Sequence, residues 1–172
     1  LTMILGCNRA DGSVAMIAGT TIYQDALTNG PVAEMIVPSQ ANTVDGLPGS
    51  NASTGPMAMA DYSGDGNLDL FVGGRVIPGR FPEAAPSHLF LGNGVDFRRD
   101  DTGSSALTKA GLVSGAVFSD LDGDGRAELV LACQWGPLRV YRLGAGKCTE
   151  ETARLGLMDY TGLWNGITTG DF

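Results

Sequence analysis

The chain has 172 residues, long enough for a sizeable core, and 19 acidic against 11 basic side chains give a net charge of −8. That balance argues against nucleic acid as a partner, and no apolar run approaches the roughly eighteen residues that a membrane span needs. With 26 glycines, few charged side chains and no long helical pattern, the composition points to an all-β fold of short strands joined by tight turns.

In chain order, residues 3–7 (MILGC) form a first apolar strand-like run. Residues 8–21 read as a long connection, followed by a strand around Tyr23, a turn at Asn29-Gly30 and a short strand over 33–37. After a second connection over 38–55 comes a strand at 56–60, an acidic loop at 61–69 (DYSGDGNLD) and the apolar run 70–74 (LFVGG). A Pro-rich insertion over 75–88 leads to strands at 89–91 and 96–98, which flank the turn Asn93-Gly94. The order then recurs: strand 115–119, acidic loop 120–128 (DLDGDGRAE), apolar run 129–133, strand 140–142, turn Ala145-Gly146 and strand 147–150. A last strand over 166–170 leads to Asp171, where a third loop begins.

Aligned on the first aspartate of each loop, the spacings are 120 − 61 = 59 and 171 − 120 = 51 residues. In this alignment residues 3–7 match the run after a loop, which divides the single segment 1–172 into repeats of about 1–60, 61–119 and 120–170. Each repeat then holds four short antiparallel strands, with the acidic loop between the first and second. Serial four-stranded units of this length predict β-propeller blades, about three of them, with all the acidic loops on one face.

Crowding acids at positions one, three, five and nine of a Gly-rich loop costs repulsion unless a cation sits among them. Hard oxygen ligands on a flexible loop suit calcium better than magnesium or zinc. An EF-hand is excluded, because position twelve is Val72 in one loop and Leu131 in the other, both inside β-type runs. The segments AMADYSGDGNLDLFVGG and AVFSDLDGDGRAELVLA resemble FG-GAP or VCBS-type repeats, the calcium-binding blades of integrin-α-like propellers. The ending YTGLWNGITTGDF is similar to the start of another such repeat.

This resemblance implies a ring of roughly six to eight blades, of which three are a part. It also implies two complete calcium sites in β-hairpin loops. The first takes Asp61, Ser63, Asp65, the carbonyl of Asn67 and Asp69; the second takes Asp120, Asp122, Asp124, the carbonyl of Arg126 and Glu128. Gly66 and Gly125 stand where the loop turns most sharply. Ser63 replaces an acid, so charge count predicts tighter binding at the second site.

The long connections fall on the face opposite the acidic loops, together with Trp135, Arg75, Arg80, Phe81 and the aromatics Tyr160 and Trp164. Exposed aromatics and arginines anchor partners well, so the expected function is extracellular adhesion or protein recognition, with calcium structural. A carbohydrate-binding or polysaccharide-degrading propeller is the alternative. His88, the single histidine, has no evident nucleophile to serve, so the segment reads as non-catalytic. Asn51-Ala52-Ser53 matches a glycosylation sequon. No charged, then apolar, leader opens the chain, but loops of this type fill at the calcium levels outside the cytoplasm. A cell-surface, extracellular or periplasmic location is therefore expected. Cys7, Cys133 and Cys148 lack zinc spacing; Cys7 and Cys133 close apolar runs and read as small buried thiols.

Overall fold

A computed structural model describes residues 3–20, 33–36, 44–49 and 51–170 of the chain. The strands fall into three antiparallel sheets. The first runs in the order β1 (Ile4–Asn8), β2 (Val14–Gly19), β3 (Ala33–Ile36) and β4 (Val44–Gly46). The second is β5 (Ser53–Ala60), β6 (Asp69–Val76), β7 (His88–Gly92) and β8 (Phe97–Arg99). The third joins β9 (Leu112–Ser119), β10 (Glu128–Pro137), β11 (Arg139–Gly144) and β12 (Lys147–Glu150). A thirteenth strand, β13 (Thr161–Leu163), pairs with the far half of β10. The five-residue helix α1 (Asp101–Ser105) is capped by Asp100, whose carboxylate accepts the Gly103 N–H at 2.9 Å.

Every sheet therefore repeats one unit, a four-stranded meander, and the two acidic loops join its first and second strands. The apolar runs after those loops lack the in–out alternation of a half-exposed strand because both of their faces are covered. In β6, Leu70 and Val72 pack with Ile17, Ala33 and Leu47 of the first sheet region. Phe71, between them in sequence, points the other way into a cluster with Leu129, Leu131 and Tyr141 of the third sheet. The second sheet is thus sandwiched between its neighbours, and two cores form on its two faces.

The first unit departs from the expected register. Residues 8–21 are not a long connection: Arg9 to Ser13 make a short turn, with the Arg9 N–H on the Ser13 carbonyl at 2.8 Å, and β2 follows. Consequently β1 is the strand before a turn, matching β5 and β9, and β2 matches β6 and β10. The starts of these second strands are spaced 69 − 14 = 55 and 128 − 69 = 59 residues. The strand expected around Tyr23 and the third loop expected at Asp171 lie outside the described residues.

Residues 166–170 also differ from expectation, forming no ladder. They run beside β9 instead: a Cβ built on Gly115 would stand 2.8 Å from the Ile167 nitrogen.

Candidate metal centre

Both acidic loops are bent by the same hydrogen bonds. In the first, Asp61 accepts the N–H groups of Gly64 at 2.7 Å, Asp65 at 3.1 Å and Gly66 at 2.8 Å. In the second, Asp120 accepts those of Gly123 at 2.7 Å, Asp124 at 3.1 Å and Gly125 at 2.8 Å. Gly66 and Gly125 sit at φ +88° and +85°, a conformation that a Cβ would strain. Burial raises the Asp61 carboxyl, but the three N–H bonds outweigh it and leave the group below its usual range. The loops also sit at one end of the stack, where Tyr62 lies parallel to Phe118 with ring centroids 6.3 Å apart.

The loops part company in how the rest of each acidic set is held. Asp120, Asp122 and Asp124 bring carboxylate oxygens within 4.8 Å of one another, the one such acid triad among the described residues. Asp61, Asp65 and Asp69 do not gather in that way; Ser63 occupies the third position and its hydroxyl reaches Asp61 at 3.4 Å. Asp65 takes the N–H of Asn67 at 2.8 Å, and Asp124 likewise takes that of Arg126 at 2.9 Å.

The ninth-position acids are the buried ones, Asp69 at 0% exposure and Glu128 at 3%. A buried carboxylate is costly unless it is partnered. Asp69 divides its oxygens between two backbone donors, Ser63 N–H at 2.9 Å and Gly92 N–H at 2.9 Å. Burial nonetheless pushes its carboxyl above the ordinary value. In Glu128, Oε2 accepts the Leu121 N–H at 3.0 Å, while Oε1 is buried and takes no hydrogen bond.

Sequence reasoning did not single out Arg142 as a member of this centre. It projects from β11 into the second loop, its Nη1 2.6 Å from Asp124 and its Nη2 paired with Asp122 and, at 3.2 Å, with Glu128 Oε1. The Arg142 hydrogen bond is the largest influence holding Asp124 below its usual carboxylate range, and the two aspartates raise Arg142 in return. Cross-strand register was the available signal. Leu129 pairs with Tyr141 as Leu70 pairs with Phe90, so Arg142 in the third sheet corresponds to Leu91 in the second.

The donor set suits a hard cation. Asp120, Asp122, Asp124 and Glu128 would offer only oxygen atoms, with no imidazole or thiolate among them, and Glu128 Oε1 faces Arg142 at 3.2 Å. His88 is a core residue, 3% exposed, with neither ring nitrogen hydrogen-bonded. Cys133 is buried, and burial raises its thiol to about 11. Cys148 is raised to about 12, also by burial, so neither thiol is poised as a nucleophile.

At the other end of the sheets, β10 carries a bulge at Trp135, which lies at φ +61° with 68% exposure. A cavity of about 400 Å³ adjoins it, lined by Lys109, Gln134, Trp135 and Arg139 among others. Trp164 lies nearby and is partly covered, its Nε1 donating to the Gly136 carbonyl at 3.2 Å. No helix among the described residues is long and apolar enough to cross a membrane. Comparison of the chain with family models, with curated proteins and with solved structures gives no match.

Proposed function

We propose that the chain is a calcium-binding segment of a β-propeller, of the FG-GAP or VCBS type, serving recognition outside the cytoplasm. The observation that carries this reading is the 120–128 loop, which collects three aspartates within 4.8 Å, with the buried acid Glu128 held at the ninth position by the Leu121 N–H. The first loop repeats the same backbone bonding around Asp61, which supports a second, weaker-charged site of the same design. The propeller reading draws support from the stacked four-stranded meanders. The β5 and β9 strands also lie side by side, a Cβ on Gly55 reaching the Val113 carbonyl at 2.9 Å. First strands of successive blades are adjacent in such a ring.

Here calcium holds the turns in shape, and partner binding belongs to the opposite end. Isothermal calorimetry tests the metal assignment. Two calcium ions per chain are expected, with a melting temperature that rises in calcium and falls back in chelator; saturation at about 100 times Kd adds about 2.7 kcal/mol. Absence of calcium heat together with an unchanged melting temperature would refute it.

Exposed Trp135 beside a cavity carrying Lys109 and Arg139 favours a second reading, a carbohydrate-binding propeller. A glycan array run in calcium and then in chelator separates this from protein recognition.

A further inference from the structure

The two loops solve the same electrostatic problem differently, and the difference is one residue on the neighbouring strand. In the first loop the buried acid Asp69 is satisfied by backbone N–H groups, and the position beside it on β7 is apolar Leu91. In the second, the guanidinium of Arg142 stands among Asp122, Asp124 and Glu128, in contact with all three. A guanidinium is permanently charged and presents a planar fork of donors that fits carboxylates two at a time. Burial makes the pairing at Glu128 matter most: its Oε1 is shut off from water, takes no hydrogen bond, and has Arg142 as its ion-pair partner at 3.2 Å.

We propose that Arg142 is a built-in counter-cation of the second loop, and that calcium and the Arg142 side chain compete for the same carboxylates. The inference rests on the calcium reading above and deepens it. Charge count alone ranks the second loop, with four acids, above the first, with three. Arg142 cancels part of that advantage, because an entering ion must displace a cation already paired there. The second loop then keeps its shape without metal, and the first loop, lacking such a cation, becomes the more calcium-dependent of the two. Arg142 acts here as a positioning residue, setting the cost of loading without itself being a ligand.

The test compares wild type with Arg142→Leu, which copies Leu91 of the second sheet, and with Arg142→Gln, which keeps polar contacts but removes the charge. Lys147→Met, on the adjacent strand β12, removes the same unit of charge outside the loop. Calorimetry resolves the two sites, the second being assigned by its loss in Asp120→Ala, and melting in chelator reports the metal-free fold. Both Arg142 variants are expected to bind calcium at the second loop about tenfold or more tighter than wild type. They should melt lower than wild type in chelator and recover in calcium, while Lys147→Met changes neither to a similar degree.

Calcium binding at both loops with Arg142→Leu no tighter than Lys147→Met overturns the competition and leaves the calcium reading standing. Binding at the first loop alone, in every variant, also overturns it. No binding at either loop in any variant fails the calcium reading itself, and the competition with it.

Discussion

His88 shows how burial alone can make one residue pH-sensitive. Its ring is 3% exposed, edge-on to Phe90 at 6.4 Å, and unbonded at both nitrogens. Burial, reinforced by Arg99 and opposed by Asp101, lowers its pKa from 6.5 to about 4. The unfolded chain therefore binds the proton first as pH falls. The fold has the full benefit of neutral His88 above about pH 6.5 and loses stability between there and about pH 4, where the loss levels off near 3 kcal/mol. His88→Phe keeps a ring and cannot titrate. Denaturant midpoints from pH 7 to 4 should fall less steeply in the variant, and parallel pH profiles would show that His88 plays no such part.

At the scale of the element, what could be read in the sequence was whatever burial wrote into it. The runs 70–74 and 129–133 are apolar without interruption because β6 and β10 are covered on both faces; both fall inside the observed strands, although β10 continues through residues 134–137, which read as a connection in the sequence. Strand β12 was placed at its observed bounds, since its turn at Ala145-Gly146 is explicit. Strand β2 was missed because its preceding turn lacks the acidic pattern. Asp11 closes that turn by accepting the Ser13 N–H at 2.8 Å and hydroxyl at 2.6 Å, so aligning on acidic loops shifted the first unit by one strand. Helix α1 depends on a single capping aspartate, and β13 on pairing with a distant extension of β10, neither of which leaves a periodic signal. The acidic pattern of the loops was legible as carboxylates at odd positions, whereas the contact of Arg142 with it was not, because that contact comes from cross-strand register.

The hairpin built on the first loop makes its own prediction. Gly92 ends β7, and its N–H donates to buried Asp69. A Cβ there would stand 2.1 Å from the Leu68 carbonyl oxygen and 3.3 Å from the Phe97 ring. The obstacle is mainly backbone, so Gly92→Ala must push strand and loop apart and weaken the bond to Asp69. A loss of about 2–4 kcal/mol is expected from the combined steric and hydrogen-bond terms. Chemical denaturation measures it, and a change within about 0.5 kcal/mol, the range of an ordinary surface substitution, would show that the hairpin does not need the close approach.

Across the whole molecule, stability should follow position in the stack. The second sheet buries Leu70, Val72 and Phe90 against the first and Phe71 and Leu89 against the third, so its inner strands cannot open without breaking two cores. Strand β12 has the opposite situation: it ends its sheet's strand order, and three of its four residues are exposed or charged at the surface. Amides in units that open only with global unfolding exchange slowest, and edge strands exchange through local opening. Hydrogen exchange should therefore find β6 and β7 protected close to the global limit, with β10 near them and β12 and β13 far less protected. On the calcium reading proposed above, the ion should add protection first around residues 61–69, where no arginine among the described residues pairs with the loop acids, and less around 120–128, where Arg142 pairs with Asp124 and Glu128. Exchange in β6 as fast as in β12 would mean that the two cores on the second sheet do not form one cooperative stack.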